Sequence, residues 1–77
     1  MNEFITKCKN IVIDYVGDKN ISEDDVFVVW SCKTLQNKKA LLSADFKGAP
    51  YFEITYNGDK DETYVDVYKK EKNYVVK

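Results

Sequence analysis

The sequence has 77 residues, of which 44% are hydrophobic and 14% aromatic, and its 12 basic and 13 acidic residues leave a formal net charge of −1. A chain of this length supports a single domain, residues 1–77, with one small hydrophobic core. It contains neither histidine nor arginine, which excludes histidine-based acid–base and nucleophile pairs and removes the side chain that grips phosphates and bases bidentately. We therefore expect a folded protein that is not an enzyme and for which nucleic-acid binding is unlikely to be the function.

The first segment has the apolar spacing of an amphipathic helix, with Phe4, Cys8, Ile11, Val12 and Tyr15 on one stripe. This pattern predicts a helix over residues 3–16. Asn2 is suited to cap its start, and Gly17 is suited to end it in the left-handed conformation. In the polar linker that follows, Ser22–Asp25 is compatible with a single helical turn.

Four later segments have the composition and alternation of β-strands: residues 25–34, 38–45, 51–56 and 63–70. Short polar loops separate them, which predicts a four-stranded antiparallel β-meander. The helix must bury its apolar stripe against one face of that sheet. The sequence therefore predicts an α+β fold, with an N-terminal amphipathic helix packed on one face of the meander.

Strict alternation assigns the residues that face the core. In the first two strands they are Val26, Val28, Trp30, Cys32, Ala40, Leu42 and Ala44. A three-residue loop, Leu35–Asn37, with a positive φ at Asn37, pairs Cys32 with Ala40 and Trp30 with Leu42. In the last two strands, Phe52 is predicted to face Val67 and Ile54 to face Val65.

The opposite sheet face is unusually aromatic, and it carries Phe27, Val29, Leu41, Tyr51, Glu53, Thr55, Tyr64, Asp66 and Tyr68. Tyrosine is enriched where proteins meet because it combines a large contact area with a polar tip. The alternative is a partly solvated sheet face on which tyrosine is simply a good strand former. We predict that the partner-binding residues are Tyr51, Glu53, Tyr64, Asp66 and Tyr68.

Three local patterns suggest other chemistry, but each has a simpler explanation. Glu53 and Asp66 face each other like a catalytic or cation-binding pair, yet an open sheet face offers no cleft. The loop Asn57–Glu62 begins like a calcium loop but lacks the glycine and the final glutamate of that template. Tyr68-Lys69-Lys70 resembles a single-strand nucleic-acid binder, although lysines also protect edge strands. The sequence thus predicts no catalytic residue, no metal and no cofactor.

Features of localisation point to the cytoplasm. Cys8 and Cys32 are predicted to act as small hydrophobic residues on apolar faces rather than as a disulfide. The first residues do not resemble a signal peptide. The longest apolar run, Val26–Trp30, is far too short to span a membrane. We expect a reduced protein with no membrane association.

The segments DVFVVWSCKTLQNKKALLS (residues 25–43) and YFEITYNGDKDETYVDVYKK (residues 51–70) resemble a family of short tailed-phage and prophage proteins of Gram-positive bacteria. The likeness is closest in VFVVW, KTLQN, KALLS and TYNGDK. That family has no assigned function. The resemblance implies a small accessory protein made in the cytoplasm of the infected host, and it carries over no catalytic residue.

The leading hypothesis is a non-enzymatic binding protein that inhibits or modulates a host or phage factor of replication, transcription or defence. It would dock through the tyrosine-rich face, or a partner would add a strand to an edge of the sheet. One alternative is a weak single-stranded nucleic-acid binder that uses Tyr64, Tyr68 and the lysines. Another is a homodimeric structural or assembly component.

Overall fold

The computed structural model describes residues 1–77 and contains one α-helix, one 3₁₀ turn and four β-strands. In chain order these are α1 (Asn2–Val16), the 3₁₀ turn (Glu23–Asp25), β1 (Val26–Thr34), β2 (Asn37–Ala44), β3 (Tyr51–Asn57) and β4 (Glu62–Tyr68). The strands form one antiparallel sheet in the order β1-β2-β3-β4. The predicted α+β fold, a helix on one face of a four-stranded meander, is confirmed.

The helix packs on the sheet through the predicted apolar stripe. Phe4, Cys8 and Val12 are buried. Tyr15 remains 56% exposed but brings the edge of its ring to Phe52, with 5.4 Å between the ring centroids. The helix lies mainly over β1 and β2. It is neither long enough nor apolar enough to cross a membrane.

Of the two residues predicted to cap α1, the structure confirms only the one at the C-terminal end. The helix begins at Asn2, with Met1 in the capping position and no side-chain cap, so the prediction that Asn2 caps it is wrong. The Met1 carbonyl already accepts a hydrogen bond from the Ile5 N–H, which places Asn2 inside the first turn. Gly17 ends the helix as predicted, in the left-handed conformation with a φ of 71°.

The linker contains the predicted single turn. Glu23–Asp25 forms one 3₁₀ turn, and Ser22 and Asp25 form a capping box. In it the Ser22 N–H donates to Asp25 Oδ2 at 2.9 Å. Such reciprocal bonds satisfy backbone donors at a helix start. The turn therefore fixes the direction in which the chain enters β1.

The core lies between the helix and the sheet and contains nine buried hydrophobic residues: Phe4, Cys8, Val12, Val26, Ala40, Leu42, Ala44, Phe52 and Ile54. Full burial of a large aliphatic or aromatic side chain contributes about 1.5–3 kcal/mol relative to exposure. β2 and β3 supply five of these residues. The two central strands and α1 thus hold the fold together, while the edge strands are less well covered.

A β-bulge at Val29 changes the orientation of the second half of β1. Trp30 pairs with Leu41 instead of the predicted Leu42, so Val29 is an extra residue in the strand. Trp30 and Cys32 are therefore on the face turned away from the helix, and both are exposed. Their predicted core positions are wrong because strict alternation assumes an unbroken strand.

The turn between β1 and β2 is also shorter than predicted. Thr34 pairs with Asn37, so only Leu35 and Gln36 lie in the turn, and the predicted three-residue loop is wrong. The positive φ belongs to Leu35, at 58°, and not to Asn37. The shorter loop and the bulge each shift the pairing by one residue, so that Val28 pairs with Leu42 on the core side of the sheet.

The pairing of β3 with β4 follows the sequence prediction. Phe52 faces Val67 and Ile54 faces Val65. β4 ends at Tyr68, whereas the prediction extended the strand to residue 70. Lys69 and Lys70 therefore follow the strand, and they are not the edge-strand lysines that would hinder pairing of β4 with another chain.

Candidate binding surface

We call the sheet face turned away from α1 the outer face. Cross-strand pairing arranges its residues in rows that run from β1 to β4. One central row consists of Trp30, Leu41, Glu53 and Asp66. The other consists of Cys32, Lys39, Thr55 and Tyr64. Beside them lie Phe27 on β1 and the facing pair Tyr51 and Tyr68 on β3 and β4. No helix covers this face, because the only α-helix lies on the other side of the sheet.

The outer face exposes five aromatic side chains. Phe27, Trp30, Tyr51, Tyr64 and Tyr68 are each between 42% and 52% exposed. Each of these side chains therefore presents about half of its surface to solvent. Clusters of exposed aromatic residues mark sites where proteins dock, since each ring buries a large area at a small entropic cost.

Carboxylates lie among these rings. Glu53 and Asp66 face each other across β3 and β4. Glu53 Oε2 lies 3.9 Å from Lys39 Nζ, and Glu53 Oε1 accepts a hydrogen bond from the Tyr68 hydroxyl at 3.3 Å. Asp66 has no such partner within the chain. With Glu62, three carboxylates and one lysine leave two net negative charges on the outer face.

The carboxylates raise the pKa of two tyrosine hydroxyls. The negative charge of Glu53 raises the pKa of Tyr68, with smaller contributions from desolvation and Asp66. The Tyr64 hydroxyl donates to Glu62 Oε2 at 3.0 Å, and this hydrogen bond raises the pKa of Tyr64. The two hydrogen-bonded hydroxyls present a polar pattern at the rim of the aromatic cluster.

Two loops interlock at one end of the sheet. The Gly58 N–H donates to Asn37 Oδ1 at 3.0 Å, and Gln36 Nε2 donates to Asp59 Oδ1. Asn57 Oδ1 accepts from the Asp59 N–H at 3.0 Å, as in an Asx turn. The side-chain oxygens of Asn57 and Asp59, which make this loop resemble a calcium loop, therefore accept hydrogen bonds from other groups of the two hairpins. The interlock fixes both hairpins relative to each other.

The largest surface depression has a volume of about 400 Å³ and lies beside Tyr51, between the β2–β3 loop and Lys69-Lys70. Its one serine, Ser43, donates its hydroxyl to the Pro50 carbonyl at 2.9 Å. The depression brings together small, aromatic and lysine side chains and contains no carboxylate. Its lining therefore contains no acid–base pair of a carboxylate and a histidine.

All five predicted partner-binding residues, Tyr51, Glu53, Tyr64, Asp66 and Tyr68, are on the outer face. Their role as a binding site stays a prediction. Sequence reasoning missed Trp30, because no glycine or other residue in β1 marks the bulge that turns it outward. It also missed the contact of Lys39 with Glu53, which depends on the diagonal geometry of two neighbouring strands.

Residues 5–77 match the family DUF6275, which is described as a family of unknown function. The chain belongs to the DUF6275 family. The match includes all four strands, so the outer face and the interlocked loops are part of the DUF6275 region. No curated protein and no solved structure matches the chain. The predicted resemblance to a family without assigned function is confirmed at that level.

Proposed function

We propose that this DUF6275 protein is a small non-enzymatic binding protein that docks on another protein through its outer face. In this proposal it is an accessory protein of a phage or prophage of Gram-positive bacteria and acts in the cytoplasm of the host. Its partner is a host or phage protein of replication, transcription or defence, which it inhibits or modulates. The five exposed aromatic rings on one sheet face are the observation that carries the proposal.

The shape of the outer face favours a broad protein surface over a small ligand. The rings stand on neighbouring strands of a sheet and are not gathered in a closed cavity. A small molecule gains affinity when a concave pocket buries most of its surface. A protein partner instead covers many half-exposed rings at once, and a few of them dominate the binding energy.

The charges of the outer face indicate a basic partner surface. Asp66 lacks an internal partner, and the only ion pair of Glu53 is a long one with Lys39. A lysine or arginine of the partner would neutralise this pair and steer association. The same two net negative charges oppose nucleic-acid phosphates and oppose stacking of two outer faces on each other.

The test is capture of a partner from a nuclease-treated host lysate with the tagged chain. Changing Trp30→Ser and Tyr51→Ser removes two aromatic anchors on β1 and β3, and we expect retention of the partner to fall by about tenfold or more. Trp30 is the only tryptophan, so adding the purified partner to the wild-type chain should shift its emission to the blue as water is excluded.

The matched control is Val75→Asp, which also alters an exposed apolar residue but lies outside the outer face. This control should retain the partner fully. A Glu53→Gln/Asp66→Asn variant should bind more weakly and with less dependence on salt. Equal retention by wild type and by the Trp30/Tyr51 variant would overturn the proposal, as would the absence of any specifically retained protein.

A further inference from the structure

The two edges of the sheet differ in how they are protected. β1 is interrupted by the bulge at Val29 and carries the exposed Lys33. β4 pairs without irregularity from Glu62 to Tyr68 and contains no lysine, proline or bulge. Lysine, proline and bulges are among the means by which edge strands avoid pairing with another chain, and the two charged residues of β4, Glu62 and Asp66, both lie on its outer-face side. β4 is therefore the edge that is open to an additional strand.

The helix side of β4 is also incompletely covered. Val65 pairs with Ile54 and shares its face, yet Val65 is 40% exposed whereas Ile54 is fully buried. The difference arises because α1 lies mainly over β1 and β2. A further strand beside β4 would cover Val65 and satisfy the free backbone groups of the edge.

The segment after β4, residues 69–77, contains three consecutive strand-forming residues that have no partner. Its residues Tyr74, Val75 and Val76 are 69%, 78% and 82% exposed. The radius of gyration is 13.5 Å, against about 11.5 Å expected for a compact chain of this length. Aromatic and β-branched residues favour strands, and three consecutive ones are seldom left in water.

The charges of this segment complement those of β4. Four lysines and Glu71 give residues 69–77 three net positive charges, whereas β4 carries Glu62 and Asp66 without a lysine. Folding back within one chain would need a tight turn within residues 69–73. Three of these five residues are lysines that repel each other, and only Asn73 favours a turn. A second chain avoids that turn.

We infer that residues 69–77 of a second copy add to β4 as an antiparallel strand, and that the exchange is reciprocal. The product is a homodimer with one continuous sheet, in which both outer faces remain accessible. This inference is independent of the function proposed above, because the contact lies at an edge of the sheet and not on its face.

Symmetry restricts the register of this contact. A two-fold axis normal to an antiparallel pair of identical strands must pass between a residue and its own copy. With Lys70 on the axis, Lys69 faces Glu71 of the partner subunit and Val65 faces Val75 of the partner subunit. With Glu71 on the axis, that carboxylate faces its own copy and Lys70 faces Lys72 of the partner subunit. Opposite charges stabilise such pairs and like charges destabilise them, so the first register is favoured despite its single Lys70 pair.

Sedimentation of the full chain over a dilution series tests the inference. The wild-type chain should sediment as a dimer that dissociates on dilution. The Tyr74→Ser/Val75→Asp variant should lose the dimer and keep its circular dichroism spectrum, because these side chains make no contact with the core. The Trp30→Ser/Tyr51→Ser variant should remain dimeric, which separates this contact from the outer face.

Cross-linking tests the register. In a Cys32→Ser background, Val65→Cys and Val75→Cys in one chain should oxidise to a covalent dimer, and Val67→Cys with Val75→Cys should do so far less. A wild-type chain that stays monomeric at every concentration would overturn the inference. So would a dimer that survives in the Tyr74/Val75 variant, or a disulfide that forms within one chain.

Discussion

At the scale of single residues, Leu35 combines two unfavourable features. It adopts a φ of 58° in the two-residue turn between β1 and β2, and its side chain is 80% exposed. Left-handed backbone costs an L-residue with a β-carbon about 1–2 kcal/mol. Leu35 obtains no compensating burial in the free protein, so its turn is a local source of instability.

We predict that Leu35→Gly is more stable than Leu35→Ala by about 1 kcal/mol, since glycine adopts positive φ without strain. At an ordinary strand position the order is reversed, because glycine loses more entropy on folding. Urea denaturation of both variants measures the difference in the free energy of unfolding. Thr34→Gly and Thr34→Ala at the neighbouring strand position provide the comparison. If alanine is the more stable replacement at both positions, the turn is not strained.

At the scale of elements, the interlocked loops join the β1–β2 and β3–β4 hairpins. Gly58 makes this possible, because a β-carbon there would lie 2.7 Å from Gln36 Cβ and would also meet the Gln36 carbonyl oxygen. The φ of Gly58 is not positive, so close approach and not backbone conformation requires a glycine. The segments KTLQN and TYNGDK, which carry much of the family resemblance, thus meet in space.

We predict that Gly58→Ala destabilises the protein by about 1–3 kcal/mol, as expected when a methyl group is forced into a packed contact. Because the clash involves backbone, side-chain rearrangement alone cannot relieve it. Thermal unfolding followed by circular dichroism measures the loss. Lys60→Ala in the same loop is the control and should stay within about 0.5 kcal/mol of wild type. A Gly58→Ala variant that melts like wild type would show that the two loops do not touch.

The strands show how far alternation predicts pairing. β2, β3 and β4 alternate without interruption, so the predicted faces of Leu42, Phe52 and Ile54 are those observed. β1 also alternates as a sequence, but the chain gains one residue at Val29. A bulge is set by how a strand pairs with its neighbour and how the sheet twists, and neither is visible in one strand alone. The five predicted site residues lie on β3 and β4, where alternation is unbroken, so the sequence predicts their face correctly. Trp30 follows the bulge in β1, so the sequence predicts the wrong face for it.

At the scale of the whole molecule, the two cysteines report on different environments. Cys8 lies between α1 and the sheet with no exposed surface, and burial raises the pKa of its thiol from 9.0 to about 11, although Lys7 lowers it slightly. Cys32 is exposed on the outer face. Only the thiolate reacts with disulfide reagents, so Cys8 needs opening of the core before it can react.

We predict that a chromogenic disulfide reagent labels one thiol rapidly at neutral pH and the second only on unfolding. A Cys32→Ser variant should lose the rapid phase and keep the slow one. Because the folded thiol holds its proton more tightly, its contribution to stability is complete below pH 9 and is lost as the pH rises through about 11. Two rapid thiols in the native wild-type chain would contradict burial of Cys8.

The bulge at Val29 also bears on how relatives of this chain are compared. In β1 the side-chain period is two, so a single-residue gap or insertion before Trp30 exchanges every following residue between the interior and the surface. Two DUF6275 sequences that differ there by one residue, and by nothing else, would present different chemistry to solvent. Alignments within the family should therefore be anchored on β2 and β3, where the core fixes the register. A difference in the length of β1 should be taken as a change in which of its residues are exposed on the outer face.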